Sequence, residues 1–318
     1  MQKIFLTLTF LIMTLQSHTT IEPLLAIDIN GTVKDMVVRK NKLIIGTDNG
    51  RLEVYEYKKR QFNKTIILPK IKDFMDDMIF PKVFSVDEID NSYLLLSDSG
   101  QGGYANLWIY KDNHLTQLLS EKDKKPAIKA RFIDKEHILL GFLSNEVSLF
   151  DIKNKKELYL VQLNESKFSD FALNEDKSKA VFSCESGVLN IIETKTGKLV
   201  KELKGLNVDN IYKVDFKKDT ISGAGQDRRA SIYNVSTGKG AYITGSFLIY
   251  ATGLSPSTNR VAFAMDEKNN ISIYNRLNRL KIAELKGQKS TLNNIIFKDE
   301  NVLFSSSDDN TIFMWKLN

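Results

Sequence analysis

The side chains that most often carry catalysis or bind transition metals are scarce in this chain. Its 318 residues include three histidines and one cysteine. His18 lies near the N-terminus, and neither His114 nor His137 has a second histidine or a cysteine at ligand spacing, which argues against a zinc or haem site. No Gly-x-Ser-x-Gly elbow supplies a nucleophile. Cys184 lies in the apolar run AVFSC and is expected to be buried and inert.

Carboxylates are the remaining groups that could support chemistry, because oxygen ligands suit calcium and a quinone cofactor needs a metal beside it. The candidate oxygen donors belong to Asp76, Asp77, Asp227, Asp266, Asp308 and Asp309. Only Trp108 and Trp315 could contribute an indole to a quinone pocket. We therefore predict a protein that is not an enzyme and has no cofactor or metal, with metal- or quinone-dependent catalysis as the alternative.

Seven short strands of similar composition follow polar turns and divide the chain into repeats. Each strand has a bulky marker residue, and these are Tyr55, Tyr110, Phe150, Ile192, Tyr233, Tyr274 and Trp315. The markers are about 41 residues apart from Phe150 onward, about 40 before that and about 55 at the start, in the range of four-stranded propeller blades. The pattern predicts an all-β, seven-bladed propeller of four-stranded antiparallel blades.

The two ends of the repeat array are complementary. The last repeat stops after its third strand, whereas Leu24–Ile29 forms a spare strand near the N-terminus. Pairing the spare strand with the last repeat would close the ring and remove both free sheet edges. We therefore predict one domain over residues 20–318, whose last blade is closed by the N-terminal strand.

The repeat endings GTDNGRLEVYEY and SSSDDNTIFMWKLN, together with the period, resemble the WD-repeat β-propeller superfamily over residues 24–318. Trp315 occupies the family's tryptophan position, and Asp48 and Asp308 match its structural turn aspartate. The family's Gly-His pair is absent. The resemblance implies the propeller fold, but these repeats are too divergent to imply a particular function.

The N-terminus has the pattern of an export signal. A short positive segment at residues 1–3 precedes about 12 mostly apolar residues and a polar exit at residues 16–20. An apolar helix of that length cannot cross a hydrocarbon core of about 30 Å. We predict a signal peptide over residues 1–19, a periplasmic location and no membrane span after its removal. An uncleaved anchor is the alternative, and no cysteine is available for lipidation.

An insertion explains the long first spacing. Between Pro69 and Pro81, apolar residues recur at helical offsets among aspartates, which predicts one or two turns of amphipathic helix on the face of the marker-strand turns. Such a segment either docks a partner or folds onto its own ring. The predicted partner-binding residues are Phe74, Met75, Asp76, Asp77, Met78, Tyr104 in a glycine-rich turn, Arg228 and Arg229.

The charge balance limits the range of partners. The formal net charge is +6 from 45 basic and 39 acidic residues, which describes a mixed surface and not a nucleic-acid stripe. The chain is expected to be a monomer that binds other proteins.

Within that class, the length, the leader, the Lys/Asn/Ile-rich composition and the degenerate repeats are similar to the NapL-type propellers. The resemblance implies an accessory role with protein partners among periplasmic nitrate reductase subunits or assembly factors. A lactonase-type or quinone-dependent dehydrogenase-type propeller and an outer-membrane assembly scaffold are the alternatives.

Overall fold

The computed structural model describes residues 18–317, which form a ring of seven β-sheets, each one a propeller blade. This confirms the predicted seven-bladed propeller of four-stranded antiparallel blades. The described residues contain no α-helix and a single turn of 3₁₀ helix, Glu121–Asp123, between the second and third blades. Most of the predicted signal peptide, residues 1–17, lies outside the described part of the chain.

The strands follow one another blade by blade. Two strands precede the first blade: β1 (Thr19–Ile21) and β2 (Leu25–Asp28). Blade 1 contains β3 (Val33–Arg39), β4 (Lys42–Thr47), β5 (Arg51–Glu56) and β6 (Gln61–Ile67). A small hairpin follows, with β7 (Ile71–Lys72) and β8 (Met78–Ile79). Blade 2 contains β9 (Val83–Ile89), β10 (Ser92–Asp98), β11 (Ala105–Lys111) and β12 (His114–Leu119). Blade 3 contains β13 (Ala127–Phe132), β14 (His137–Phe142), β15 (Glu146–Asp151) and β16 (Lys156–Gln162).

The remaining blades repeat the same order. Blade 4 contains β17 (Phe168–Leu173), β18 (Lys179–Cys184), β19 (Leu189–Glu193) and β20 (Leu199–Leu203). Blade 5 contains β21 (Ile211–Lys217), β22 (Thr220–Gly225), β23 (Arg229–Asn234) and β24 (Gly240–Thr244). Blade 6 contains β25 (Ala251–Leu254), β26 (Arg260–Ala264), β27 (Ile271–Asn275) and β28 (Lys281–Leu285). Blade 7 contains β29 (Leu292–Phe297), β30 (Val302–Ser307) and β31 (Thr311–Lys316).

Ring closure follows the prediction. Strand β2 pairs antiparallel with β31, from Leu25 opposite Met314 to Asp28 opposite Thr311, and so supplies the fourth strand of blade 7. Ile27 and Ile29 are buried in the core between blades 7 and 1. Strand β1 adds a parallel fifth strand to the outer edge of blade 6, beside β28. This addition was not predicted, because Thr19 and Thr20 were assigned to the polar exit of a leader.

The predicted amphipathic helix in the insertion is wrong, because the segment forms the β7–β8 hairpin. Asp73 Oδ1 accepts hydrogen bonds from the backbone N–H groups of Met75 and Asp77, and the backbone of Asp76 is left-handed at φ 67°. Aspartate side chains compete with helical hydrogen bonds in this way, and nucleating so short a helix is unfavourable. The apolar spacing therefore reflects two short strands joined by a turn.

The blade-to-blade connections share one face of the ring with the turns between the second and third strands of each blade. Backbone hydrogen bonds join the two sets of segments, for example Asp48 N–H to Thr32 O and Asp98 N–H to Lys82 O. We call this the hairpin face, because the β7–β8 hairpin belongs to it. Among residues 18–317, no helix is long and apolar enough to span a membrane.

The innermost strands line the central channel, and a β-bulge in most of them aims a polar side chain into it. Register shifts occur just before Asp35, Lys129, Asp170, Lys213 and Asn294. A bulge leaves one residue unpaired and re-aims the side chain that follows. All five of these side chains line the channel cavity.

Channel aspartates also join neighbouring blades. In four of the seven junctions, a carboxylate on one inner strand accepts the backbone N–H of the next inner strand. The four bonds are Asp35 Oδ2 to Val86 N (2.9 Å), Asp87 Oδ2 to Phe132 N (3.0 Å), Asp170 Oδ2 to Val214 N (3.1 Å) and Asp215 Oδ2 to Leu254 N (2.8 Å). Charged acceptors make the stronger hydrogen bonds of proteins, so these aspartates stabilise the junctions.

Candidate functional site

The base of the hairpin is held firmly against the first two blades. A Cβ atom built on Gly50 would lie 3.2 Å from the Phe80 side chain, and one built on Gly100 would lie 2.0 Å from the carbonyl oxygen of Lys72. Both glycines have positive φ, so their turns need glycine for conformation as well as for space. Lys70 Nζ lies 5.2 Å from the centre of the Phe80 ring. The hairpin is therefore positioned by contacts with both blades.

The tip of the hairpin is exposed despite its apolar composition. Phe74 is 87% exposed, Met75 68% and Met78 54%. These values contradict a segment folded down onto its own ring. Large apolar side chains presented together on one projection are typical of recognition surfaces, and methionine adapts readily to a partner.

The electrostatics of the tip are set by three aspartates. The Asp73 carboxylate accepts the backbone hydrogen bonds of the turn. Asp76 lies 3.3 Å from the Lys72 ammonium in an exposed ion pair. Asp77 has no ion-pair partner among residues 18–317. The tip is therefore apolar with an acidic margin, although the chain as a whole carries a formal charge of +6.

The glycine-rich turn of blade 2 packs beside the hairpin, because both lie on the hairpin face. Ser99 Oγ donates to the carbonyl oxygen of Tyr104 at 2.9 Å and closes the turn. The Tyr104 ring lies over Gly102, and Gly100 contacts the hairpin at Lys72. The structure thus brings Tyr104 to the base of the hairpin and not to its apolar tip.

Arg228 and Arg229 lie on the hairpin face, but in the turn of blade 5, in another sector of the ring. Arg228 is exposed. The Arg229 guanidinium lies 4.7 Å from the centre of the Tyr242 ring and donates to the carbonyl oxygen of Leu206 at 3.1 Å. The predicted set therefore divides into the hairpin residues 74–78, Tyr104 near the base of that hairpin, and a separate arginine pair.

The aspartates considered as metal ligands are distributed among turns that they stabilise. Asp227 accepts hydrogen bonds from Asn207 Nδ2 and Val208 N, and Asp266 accepts them from the backbone of Lys268 and Asn270. Within residues 18–317, no three His, Cys, Asp or Glu side chains are grouped to hold a metal ion. Cys184 is buried, as predicted.

The central channel is a second candidate site, and none of the side chains that line it was predicted from the sequence. Its cavity of about 490 Å³ is lined by the inner strands and contains several charged side chains. The available signal was the polar residue near the start of most inner strands, at Asp35, Lys129, Asp170 and Lys213, where an apolar core residue would be expected.

Comparison with known proteins adds no candidate. No protein-family model matches the chain, and no curated protein is significantly similar to it. The candidate roles of the hairpin and the channel therefore rest on their own geometry and chemistry.

Proposed function

We propose that this protein is a non-enzymatic interaction module that binds a protein partner through the tip of the β7–β8 hairpin. The proposal rests on the exposed apolar side chains at the tip of the hairpin, whose base is held in place by contacts with blades 1 and 2. A preorganised element loses little conformational entropy on binding, and a few buried aromatic or apolar anchors supply most of the affinity of an interface.

The chemistry of the tip indicates the kind of surface it fits. Phe74 and Met75 require an apolar pocket, and the exposed Asp76 and Asp77 favour a basic rim around it. Complementary charges at the rim of an interface increase the association rate and specify the partner. We propose a folded protein with a cationic rim as the partner.

The finer assignment rests on the resemblance to NapL-type propellers and on the leader-like N-terminus. We propose that the protein works as a monomer in the periplasm, as an accessory to a periplasmic nitrate reductase, and that its partner is a subunit or an assembly factor of that system. Deleting its gene should then lower nitrate reductase activity, and unchanged activity would contradict this assignment.

We expect the double variant Phe74→Ser, Met75→Ser to lose its partner without losing stability. Tagged mature protein would capture the partner from the periplasmic fraction of the native host, and the affinity would then be measured with the purified partner. Removal of a central anchor commonly costs at least about 2 kcal/mol, so the affinity should fall roughly 30-fold or more. The melting temperature should stay within experimental error, because both side chains are exposed.

The matched control is Leu277→Ser. Leu277 is 70% exposed, but it lies between β27 and β28 on the opposite face of the ring. This variant should bind as the wild type does. Equal binding by the hairpin variant and the wild type would overturn the hairpin proposal. Capture of a different protein, lost in the hairpin variant, would retain the interaction role and exclude the nitrate reductase assignment.

A further inference from the structure

We propose that the central channel is a binding site for a small, multiply charged oxyanion, such as a phosphate ester, with Lys213 and Lys129 as its principal contacts. This proposal is independent of the hairpin and of any protein partner.

The cavity has the size and the charge for such a ligand. Its volume of about 490 Å³ lies within the range of roughly 300–1,000 Å³ that is usual for small-molecule sites. Eight lysine or arginine side chains line it, against four aspartate or glutamate side chains. Basic residues are thus twice as many as acidic ones in the wall, whereas the whole chain has nearly equal numbers of both.

The channel carboxylates are already engaged. Asp35 receives both terminal nitrogens of Arg131, at 2.8 and 2.9 Å, in addition to the backbone of Val86. Asp170 binds the Lys129 ammonium and the backbone of Val214. These acceptors stabilise the ring, which leaves cationic donors as the groups that can serve a ligand.

Lys213 is the clearest such donor. It lines the cavity on the inner strand of blade 5, and within residues 18–317 its ammonium has neither a hydrogen-bond acceptor nor an ion-pair partner. An ammonium has three donors and binds phosphate oxygens as a compact point charge. The Lys213 side chain is half-buried in the channel wall, so its ammonium can donate all three hydrogen bonds to an anion inside the cavity.

Lys129 lies close enough to Lys213 for the two charges to interact. Burial, together with the positive charges of Arg131 and Lys213, lowers the pKa of the Lys129 ammonium to about 8, against the opposing effect of Asp170 and Asp35. Only one of its three donors is used, on Asp170. An oxyanion placed between Lys129 and Lys213 would relieve their repulsion and use the remaining donors.

The channel mouth opposite the hairpin face adds four more basic side chains, three of which are paired with the carboxylates of Asp87, Asp215 and Asp299. Arg39, Lys177, Lys217 and Lys298 lie at or just beyond the ends of the inner strands and line the same cavity. A cleft in which basic side chains outnumber acidic ones attracts anions and increases their association rate. We therefore assign this mouth as the entrance for the anion.

The test is a titration of the purified protein with inorganic pyrophosphate at constant ionic strength, followed by calorimetry. We expect saturable binding with one site per chain. Lys213→Gln should weaken it at least about tenfold, since hydrogen bonds to charged groups are among the stronger ones. Lys195→Gln is the matched control, because Lys195 is exposed in the outer turn of blade 4, between β19 and β20, does not line the cavity, and the change removes the same charge. This control should bind as the wild type does.

Two results would overturn the proposal: wild-type protein that shows no saturable binding, or equal weakening in both glutamine variants, which would indicate a non-specific charge effect. Lys213→Arg keeps the charge and should retain most of the affinity if Lys213→Gln fails to fold.

The pH profile is a further check on wild-type protein. With sulfate, whose charge is constant, affinity should fall as the pH rises from about 7 to about 9 and Lys129 loses its proton. A flat profile would exclude Lys129.

Discussion

A chain that begins at Gly31, without β1 and β2, is expected to lose most or all of its folding free energy. The deletion removes Ile27 and Ile29 from the core between blades 7 and 1. Full burial of such side chains contributes about 1.5–3 kcal/mol each, so these two alone account for roughly 3–6 kcal/mol. Strand β31 also becomes a free edge. The whole domain is expected to have only about 5–15 kcal/mol of stability.

The control for this deletion is a chain that begins at Pro23, which lacks β1 but keeps β2. Strand β1 has three residues, and only Ile21 packs against the core. We expect a loss of roughly 1–2 kcal/mol for this variant, near the contribution of one partly buried apolar side chain. Urea denaturation and size-exclusion chromatography of both proteins would measure the difference. Equal stability of the two truncated chains would contradict closure by β2.

The propeller could be predicted because its determinants are local and repeated. Apolar strands, aspartate or glycine turns and a period near 41 residues recur along the chain, and the unmatched strands at its ends required closure. Asp48 also fulfils its predicted role, because its Oδ1 accepts the backbone N–H of Thr32 at 2.9 Å.

The hydrogen bonds around Trp315 use a glutamine where the resemblance to WD-repeat proteins led us to expect a histidine. Trp315 Nε1 donates to Ser305 Oγ at 2.8 Å, Ser305 Oγ donates to Gln288 Oε1 at 2.8 Å, and Gln288 Nε2 donates to Ser307 Oγ at 2.7 Å. Gln288 follows Gly287, so the chain has Gly-Gln at the place where a WD-repeat protein would have its Gly-His pair. A glutamine amide can both donate and accept hydrogen bonds, as a neutral imidazole can. Residue identity alone did not reveal this equivalence.

The hairpin and the channel could not be derived from the sequence for different reasons. In the insertion, the spacing of Phe74, Met75 and Met78 fits a helix, but the hydrogen bonds accepted by Asp73 stabilise a turn instead. In the channel, Asp35 and Arg131 are 96 residues apart and meet only because the ring brings blades 1 and 3 to a common axis. A polar residue recurs near the start of most inner strands, but the sequence does not indicate which of these side chains pair with one another across the axis.

Arg131→Met is expected to lower the free energy of unfolding by about 3–5 kcal/mol, because it leaves Asp35 buried without its counter-charge. Asp35 is 4% exposed and Arg131 is 8% exposed. Burial alone would raise the pKa of Asp35, but the charge and hydrogen bonds of the Arg131 guanidinium, together with the charges of Lys129 and Lys213, hold the pKa below its ordinary value. The effect would be measured from urea denaturation at neutral pH, with an unchanged slope as evidence of a two-state comparison.

The matched control is Lys135→Met, which removes a cation of the same blade from the exposed pair that Lys135 Nζ forms with Asp90 at 2.7 Å. Exposed pairs contribute about 0–1 kcal/mol, so this variant should remain near wild type. The double variant Asp35→Asn, Arg131→Met should recover much of the loss, because asparagine removes the buried charge and still accepts the Val86 N–H.

The acid limb of the stability curve tests the same ion pair independently. A carboxyl with a lowered folded pKa contributes stability above its unfolded pKa of about 3.9, and this contribution is lost as the pH falls through the folded value. The difference between wild type and Arg131→Met should therefore be largest at neutral pH and shrink in acid, as Asp35 becomes protonated in both folded proteins. A difference that is constant across this range would mean that Arg131 stabilises the ring by packing and by its other hydrogen bonds, and not through the charge of Asp35.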